Sequence, residues 1–349
     1  MEAISSKKKS LSFSIVIPVY KGSHLLKHAL NSIVKQKFNN YEIIIGDDNP
    51  PELKEEIGKT RKIIESYHDN RIRYFKNKKN LGYPKNIKKI ALRAKNDVLF
   101  LMGQDDILAK DALQKTHDAF FSGKNIGAIT RPYFWYETDI NKPVRAVYPP
   151  DKTKNTILSL QDGNRAITAI FGSVGQLSGL AYIRKYIDVP FNEDVFTTHI
   201  YPFASILKKH RCIFLKDFTV AIGIKESQTR HVSWIYNKSP TETWVRMFQT
   251  IYSDKKYNNI QKLCIKHIVT HYTGLVQIKN FAPKGALMKE ILILLKYRWI
   301  SILHPKFWFY VIITLFLPKK TLIFLTDNYK RHFLAKGLTD IKFETAYND

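Results

Sequence analysis

The chain has few cysteines, few acidic residues and no apolar run long enough to cross a bilayer. Only two of its 349 residues are cysteine, Cys212 and Cys264, and both are set among apolar residues. This excludes a disulfide framework and predicts a reducing compartment, and neither cysteine has the spacing of a zinc site. The apolar run at residues 307–317 has eleven residues, whereas crossing about 30 Å of hydrocarbon requires roughly 20.

Acidic residues are outnumbered, with 30 aspartates and glutamates against 56 lysines and arginines and a formal net charge of +26. Such a chain is attracted to anionic lipid, by about 1 kcal/mol for each cation close to the surface. It would also bind nucleic acid nonspecifically. The lysines are scattered rather than gathered in a stripe, and no nucleic-acid-binding motif occurs. We therefore expect no nucleic-acid partner, and a basic nucleic-acid-binding protein is the non-enzymatic alternative.

Strand and helix patterns alternate over the first hundred residues. A β-branched run at residues 14–20 contains a proline, and apolar residues from Leu25 to Val34 follow at helical spacing. Further strands are predicted at 41–47, 71–75 and 97–102, with helices at 54–67 and 87–94. The alternation predicts an α/β fold with a mostly parallel sheet and right-handed crossovers.

Two of these strands, which we expect to be neighbours, end in a pair of carboxylates. Asp47 and Asp48 follow the second strand, and Asp105 and Asp106 follow the fourth. Open α/β sheets bind ligands at the carboxyl ends of their strands, and adjacent carboxylates need a cation or hydrogen-bond donors to compensate their repulsion. A hard divalent metal carrying a diphosphate would supply that compensation. The alternative is a solvated turn in which Asp106 caps a helix starting near Ala109.

Four segments together resemble the nucleotide-sugar half of family 2 glycosyltransferases, which have the Rossmann-like GT-A fold. They are residues 14–20, 42–49, 80–86 and 104–106, and their order and spacing match over roughly residues 12–135. The resemblance implies an inverting enzyme that uses a nucleotide-diphosphate sugar and Mn²⁺ or Mg²⁺. It also implies a bacterial surface glycan, of the O-antigen, capsule or teichoic-acid type, as the product.

The same resemblance assigns roles to individual residues. Those assigned to the nucleotide-sugar donor are Pro18, Val19, Tyr20, Asp47, Asp48, Asn80, Gly82, Lys85, Asn86, Gln104, Asp105, Lys225 and Arg230. Among them Asp48 is expected to hold the nucleotide base and ribose, and Asp106 to bind the metal that bridges the diphosphate. Gln104 departs from the family pattern, because it places an amide at the first position of the Asp-x-Asp-like motif.

The reaction that the resemblance implies also needs a general base. The departing diphosphate carries developing negative charge, which a carboxylate-bound metal stabilises, and an inverting transfer needs one base for the acceptor hydroxyl. The resemblance places this base roughly ninety residues beyond the metal aspartate, where we expect Asp194, with Glu193 as second choice. The alternative is an acidic first helical turn with Asn192 as N-cap.

A third segment, residues 223–231, corresponds to an Arg-x-His turn whose histidine reaches the metal or diphosphate in many relatives. Lys225 stands at the histidine position, and a lysine neutralises phosphate as a point charge. We expect Arg230 on the donor or His231 on the metal to supply the remaining contact, the alternative being a solvated basic loop. His199 is interpreted as a helix residue rather than a ligand.

The C-terminal third combines apolar runs with aromatic and basic residues. Such composition suits helices lying in the lipid headgroup region, although helices packed on the catalytic domain or a second subunit are the alternative. We therefore expect a C-terminal amphipathic helical extension and a peripheral protein on the cytoplasmic face of the bacterial inner membrane. The expected acceptor is a glycan or lipid-linked glycan, and the oligomeric state is unknown.

The predicted organisation has four parts. They are a basic N-terminal tail at 1–11, the nucleotide-sugar half at 12–135, an acceptor half at 136–238 and the helical region at 239–349. A nucleotidyltransferase with a similar sheet is the enzymatic alternative. It would show a glycine-rich phosphate loop after the first strand, and residues 18–22 do not form one.

Overall fold

The alternating strands and helices predicted for the first hundred residues are present in the computed structural model, which describes residues 10–225 and 233–346. In these ranges the strands are β1 (Phe13–Val19), β2 (Tyr41–Asp47), β3 (Ile72–Lys76), β4 (Val98–Leu101), β5 (Ile107–Leu108), β6 (Ile126–Thr130), β7 (Tyr133–Tyr136), β8 (Arg145–Val147), β9 (Thr156–Leu158), β10 (Ala181–Ile183), β11 (Arg211–Phe214) and β12 (Val220–Gly223).

The α-helices of the described ranges are α1 (Ser23–Val34), α2 (Lys54–Glu65), α3 (Tyr83–Ala91), α4 (Ala112–Phe121), α5 (Asn164–Ser173), α6 (Ile200–Ile206), α7 (Pro240–Ile251), α8 (Asn258–Val269), α9 (Gly274–Phe281), α10 (Ala286–Tyr297), α11 (Pro305–Phe316) and α12 (Lys319–Tyr329). Short 3-10 turns lie at Leu160–Asp162, Arg184–Tyr186, Ser233–Asn237, Lys255–Tyr257, Trp299–Leu303 and Ala335–Leu338, and a π turn at Lys330–Leu334.

An eight-stranded sheet in the order β3-β2-β1-β4-β10-β6-β11-β9 forms the centre of the fold. Strands β3, β2, β1 and β4 run parallel, as do β6 and β11, whereas β10 is antiparallel to both neighbours. The α/β fold with a mostly parallel sheet is thus confirmed. The expected adjacency of β2 and β4 is wrong, because β1 lies between them. Strand β1 is buried on both faces and apolar except for Ser14, which is the composition of a central strand.

The sheet is covered on both faces by apolar side chains. On one face Ile15 and Ile17 belong to the same buried cluster as Leu26 and Leu30 of α1. On the other face Val16 packs in a second cluster with residues of α3, α5 and α6. Strands of both predicted halves share this sheet, since β9, β10 and β11 all follow residue 136. Of these, β10 pairs with β4 and β6, β11 pairs with β6, and β9 pairs with β11.

A smaller sheet, in the order β5-β12-β7-β8, packs beside the large one. The register of β12 with β5 pairs Ala221 with Ile107, and this places Gly223 close to the residues that follow β4. The sequence did not predict this sheet. Its strands have two to four residues each, too few for a periodic pattern.

The C-terminal region is helical, as predicted, and has a core of its own. Helices α7 and α8 supply Phe248 and Cys264 to the core of the large sheet, whereas Val245, Leu294 and Phe307 belong to a separate apolar cluster. In the described part of the chain, no helix combines the length and hydropathy that crossing a membrane would require.

Candidate active site

A cavity of about 620 Å³ opens where β1, β2 and β4 end. The predicted donor residues in its wall are Pro18, Val19, Tyr20, Asp48, Asn80, Gly82, Asn86, Gln104 and Asp105, together with the predicted metal ligand Asp106. Further along the chain, the wall includes Trp135, Gly175, Gln176, Leu177, Val195, Phe196, His199, Gly223, Trp234 and Ile235. The cavity thus joins the polar ends of the first strands to a largely apolar wall from the second half.

Asp48 fixes the backbone of one cavity wall. Its Oδ1 accepts hydrogen bonds from the backbone N–H of Leu81 and from Asn77, each at 2.9 Å, and its Oδ2 accepts from the N–H of Gly82 at 2.8 Å. Gly82 has φ of +79°, a conformation that favours glycine. Asp47 lies outside the cavity wall, where the Asn49 N–H and the Tyr74 hydroxyl bind its carboxylate. Of the two carboxylates, Asp48 is therefore the one available to a ligand in the cavity.

Two predicted donor residues at the start of α3 differ in placement. Asn86 reaches the cavity wall, but its amide donates to the Gly46 carbonyl at 2.7 Å and accepts from Asn77 at 3.0 Å. Lys85 is half-exposed outside the wall, with its Nζ 3.5 Å from the carboxylate of Glu193. Asn86 thus supports the shape of the pocket, and Lys85 connects α3 to the segment before α6.

Gln104 joins the ends of β1 and β4. Its side-chain oxygen accepts from the Tyr20 N–H, and its amide nitrogen donates to the Tyr20 carbonyl, both at 2.9 Å. A Cβ on Gly22 would come within 2.5 Å of this amide, so glycine is needed at position 22. The amide at the first motif position therefore connects two strand ends, and a carboxylate could not replace its N–H donor.

Asp106 is buried at the floor of the cavity. Its Oδ2 accepts from the Ser178 hydroxyl, and its Oδ1 accepts from the Gly223 N–H at 3.1 Å. Burial, together with the neighbouring charge of Asp105, holds the pKa of Asp106 well above its usual range. The capping alternative is wrong, since the residue before α4 is Asp111 and Asp106 binds groups far away in sequence.

Arg131 and Ser178 organise the wall around Asp106, in roles that the sequence did not predict. The buried guanidinium of Arg131 donates to the carbonyls of Ser173, Gln176 and Ser178 at 3.1, 2.8 and 2.6 Å. Ser178 accepts from the Gly103 N–H at 2.7 Å and donates to Asp106. The small-residue segment at 172–179 was the available signal. The sequence does not reveal that this segment folds around the buried Arg131.

The predicted base lies beside the cavity, directly before two residues that line it. Asp194 is buried, with its Oδ1 3.3 Å from the Nζ of Lys238, whereas Glu193 is 57% exposed. Neither carboxylate is part of the cavity wall, which continues with Val195 and Phe196. The alternative with Asn192 as N-cap is wrong, because a turn precedes α6 and His199 occupies its N-cap.

His199 is a buried member of the cavity wall with both ring nitrogens engaged. Its Nδ1 lies 3.0 Å from the Tyr83 hydroxyl, and its Nε2 3.0 Å from the Val174 carbonyl. Burial lowers the pKa of His199 to about 4. The ring is therefore neutral at physiological pH and connects α3 with the segment after α5.

The basic segment predicted near the diphosphate is only partly described. Lys225 is exposed and follows Ile224, which lines the cavity. Arg230 and His231 lie outside the described residues, so their predicted roles stay predictions.

The residues around Asp106 suit a hard divalent cation. Asp105 and Asp106 bring two carboxylates to one cavity wall, and oxygen ligands are what Mg²⁺ and Mn²⁺ prefer, with substrate phosphates completing the shell. Burial raises the pKa of Asp106, and a bound cation would favour its charged form. Among the residues described, no three histidine, cysteine or carboxylate side chains converge into a complete metal site. A bound metal would therefore take further ligands from the substrate.

Comparison with known proteins agrees with this geometry. The model of glycosyl transferase family 2 matches residues 14–174. A GalNAc(5)-diNAcBac-PP-undecaprenol beta-1,3-glucosyltransferase of Campylobacter jejuni is 29% identical over 114 residues, which is 31% of this chain and 35% of that protein. The chain spans between 9% and 39% of the length of the curated glycosyltransferases that it matches.

Two solved structures share the fold. S. aureus TarS 1–349 in complex with UDP-GlcNAc has a TM-score of 0.61 at 15% identity, over 97% of both chains. The mannosyltransferase PcManGT from Pyrobaculum calidifontis, in complex with GDP-Man and Mn²⁺, has a TM-score of 0.53 at 14% identity, over 88% of both chains. The fold of the chain is therefore of the GT-A type, and residues 14–174 are similar to the family 2 glycosyltransferases.

Proposed function

We propose that the chain transfers a sugar from a nucleotide-diphosphate sugar to a hydroxyl group of a growing surface glycan, with inversion at the anomeric carbon. The observation that carries this proposal is that Asp48 and Asp106, which follow different strands, line one cavity. Asp48 and the loop it fixes would hold the base and ribose, and Asp106 with Asp105 would hold the metal at the diphosphate.

The described residues divide the cavity chemically. All three carboxylates in its wall, Asp48, Asp105 and Asp106, belong to the donor half. The wall residues from the second half of the chain include Phe196, Trp234 and Ile235, and aromatic faces of this kind pack against the apolar faces of sugars. The polar residues suit a nucleotide diphosphate, and the apolar residues suit the acceptor glycan.

Mn²⁺ or Mg²⁺ bound at Asp105 and Asp106 would stabilise the charge that develops on the departing diphosphate. Asp106 is held in place for this role by Ser178 and the Gly223 N–H. The Mn²⁺ complex of the mannosyltransferase with the same fold supports a divalent cation.

Asp194 is the proposed base that takes the acceptor proton. The carboxylates and the histidine of the described cavity wall are unsuitable, because the three carboxylates belong to the donor half and His199 has both ring nitrogens engaged. Asp194 is buried, and Val195, next in the chain, lines the acceptor side. Glu193 is more exposed and lies near Lys85, and it remains the second choice.

The proposed acceptor is a glycan attached to a lipid carrier. Support comes from the Campylobacter relative, whose name describes an undecaprenol-linked acceptor. The apolar residues of the cavity wall are compatible with such a substrate.

Calorimetry with UDP, GDP, CDP and dTDP, each with and without Mn²⁺, tests the donor site. We expect one nucleotide to bind in a metal-dependent way and Asp106→Ala to abolish that dependence.

The variant Asp194→Asn tests the proposed base. It should keep nucleotide binding but lower kcat by about 10²- to 10⁴-fold, whereas Glu193→Gln should lower kcat by less than about 10-fold. Full activity of Asp194→Asn would transfer the role of base to another residue. Binding of nucleic acid without any nucleotide diphosphate would refute the glycosyltransferase proposal.

A further inference from the structure

Helix α11 is apolar on both of its faces. Phe307, Val311 and Thr314 are buried against the rest of the C-terminal region. On the opposite side Trp308, Phe309, Ile312, Leu315 and Phe316 are exposed, Phe316 by 79%. A helix that is hydrophobic all round is normally buried in a core or in a membrane, so the exposed side of α11 needs a cover.

Exposed apolar side chains continue from α11 into the neighbouring segments. The turn before α11 exposes Trp299 by 72% and Leu303 by 69%, and α12 exposes Phe324 by 64%. We call the exposed residues Trp299, Leu303, Trp308, Phe309, Phe316 and Phe324 the C-terminal apolar face. Most of the large exposed apolar side chains of the described residues belong to this region. Exposed apolar side chains in this number mark an interaction site.

Positive charge surrounds this face. Residues 286–338 contain nine lysines and arginines but only two carboxylates, Glu290 and Asp327. Glu290 is buried, and Asp327 lies 3.2 Å from Lys330. Lys306 at the first turn of α11, and Lys319 and Lys320 directly after it, are exposed.

We propose that the C-terminal apolar face binds the surface of an anionic lipid bilayer, with α11 lying parallel to it. Tryptophans and phenylalanines would enter the boundary between headgroups and acyl chains, and the flanking lysines would contact lipid phosphates. The twelve residues of α11 extend about 18 Å, which is shorter than the hydrocarbon core of about 30 Å. A helix of this length would therefore insert shallowly rather than cross the bilayer.

The charge pattern favours lipid over a second copy of the chain. The core of a subunit interface is depleted of charged residues, and two copies facing each other would bring equal positive charges together. An anionic bilayer instead offers negatively charged headgroups next to an apolar interior.

The same helical region contacts the acceptor end of the cavity. Ile278 of α9 packs with Ile235 and Tyr236, and the cavity residues Val195 and Phe196 pack against this cluster. A bilayer bound to the C-terminal apolar face would therefore lie at a fixed distance and orientation from these cavity residues. The proposal stands on the exposed surface, so it does not depend on the proposed transfer reaction. A protein bound in this way would be peripheral, and its place on the cytoplasmic face of the bacterial inner membrane stays a prediction.

Co-sedimentation of the full chain with large unilamellar vesicles tests the proposal. We expect binding to vesicles containing 30% phosphatidylglycerol, and at least a 10-fold weaker partition to pure phosphatidylcholine. The variant Trp308→Ser/Phe316→Ser should lose at least 10-fold in partition. The matched control Leu92→Ser/Phe121→Ser changes exposed apolar residues elsewhere and should bind like the wild type. Lys319→Gln/Lys320→Gln should lose about 5- to 30-fold, and only on anionic vesicles.

A second measurement keeps the test independent of the serine variants' stability. Brominated lipids should quench the wild-type tryptophan fluorescence, and Trp299→Phe/Trp308→Phe should remove most of that quenching. Failure to bind anionic vesicles would overturn the proposal. So would a dimer in light scattering that Trp308→Ser/Phe316→Ser dissociates, since a second copy would then cover the face.

Discussion

The carboxylate of Asp106 illustrates, at the scale of one residue, how a buried charge that would suit the proposed cation weakens the protein that contains it. The side chain is 3% exposed, and burial raises its pKa, which means that its charged form is less stable in the folded protein than in water. Two hydrogen-bond donors hold it in place without neutralising it. Function and stability therefore make opposite demands on this residue.

The variant Asp106→Asn should separate these demands. We expect the melting temperature without metal to rise by about 1–3 °C, because the amide can accept from the Gly223 N–H and donate to Ser178 without a buried charge. Nucleotide-dependent transfer should fall by at least about 100-fold. Differential scanning calorimetry with and without Mn²⁺ provides the measurement. A melting temperature below that of the wild type would contradict the interpretation that the buried charge is destabilising.

Gln104 provides a second prediction about a single residue. Gln104→Glu retains the side chain's length and its acceptor but loses the donor to the Tyr20 carbonyl, so we expect a loss of about 1–2 kcal/mol in the free energy of unfolding. The affinity for Mn²⁺ should not rise, because the Gln104 side chain is bound to the Tyr20 backbone at the end of β1. Urea denaturation and metal titration, with exposed Gln114→Glu as control, measure both quantities. Tighter Mn²⁺ binding by Gln104→Glu would contradict this expectation and would indicate that residue 104 can bind the metal.

At the scale of elements, the end of the chain returns to the small sheet that supports Asp106. Thr345 forms a bridge with Ala109, the Lys110 N–H donates to the Glu344 carbonyl at 2.8 Å, and Phe343 packs edge-to-face on Phe134 of β7 with ring centroids 5.1 Å apart. The same sheet contains Gly223, whose N–H binds Asp106. The tail therefore packs against the small sheet that also supplies a hydrogen bond to Asp106.

Shortening this aromatic contact should weaken the small sheet. For Phe343→Ala we expect a loss of about 1–3 kcal/mol in the free energy of unfolding, below the range for a fully buried phenylalanine because Phe343 is only partly buried. The exposed neighbour Lys342 provides the control, since Lys342→Ala should change the free energy of unfolding by less than about 0.5 kcal/mol. Hydrogen exchange at Gly223 should quicken in Phe343→Ala alone. Unchanged exchange there would show that the tail and β12 are not coupled.

The elements differ in how well the sequence predicts them, and the cause is the range of the contacts. Helix α1 and strand β4 have local apolar patterns, and both were located to within a few residues. The insertion of β10 between β4 and β6 depends on pairs such as Ala181 with Phe100, which are distant in sequence and leave no periodic signal. For the same reason Asp48 and Asp106 could be predicted from motifs, whereas Arg131, which binds three carbonyls of one loop, could not.

The whole molecule should respond to acid through two buried histidines. Burial lowers the pKa values of both His199 and His267 to about 4, whereas unfolding would return them to about 6.5. The unfolded chain therefore binds more protons between these values, so stability falls as pH decreases from about 6.5 to 4. Complete titration would cost up to about 3 kcal/mol per histidine. The raised pKa of Asp106 acts in the opposite direction, because its protonation removes a buried charge as pH falls.

Urea denaturation at pH 7.5 and pH 5.0 measures this balance, and the Asp106→Asn background removes the opposing carboxylate. In that background His267→Gln should reduce the loss of stability between the two pH values by about 1–2 kcal/mol. His24→Gln is the matched control, since His24 is exposed and its replacement should leave the loss unchanged. His267 lies in α8, outside the cavity wall, so this variant should retain nucleotide binding at pH 7.5. An equal loss of stability with and without His267 would mean that other groups govern the acid response of the fold.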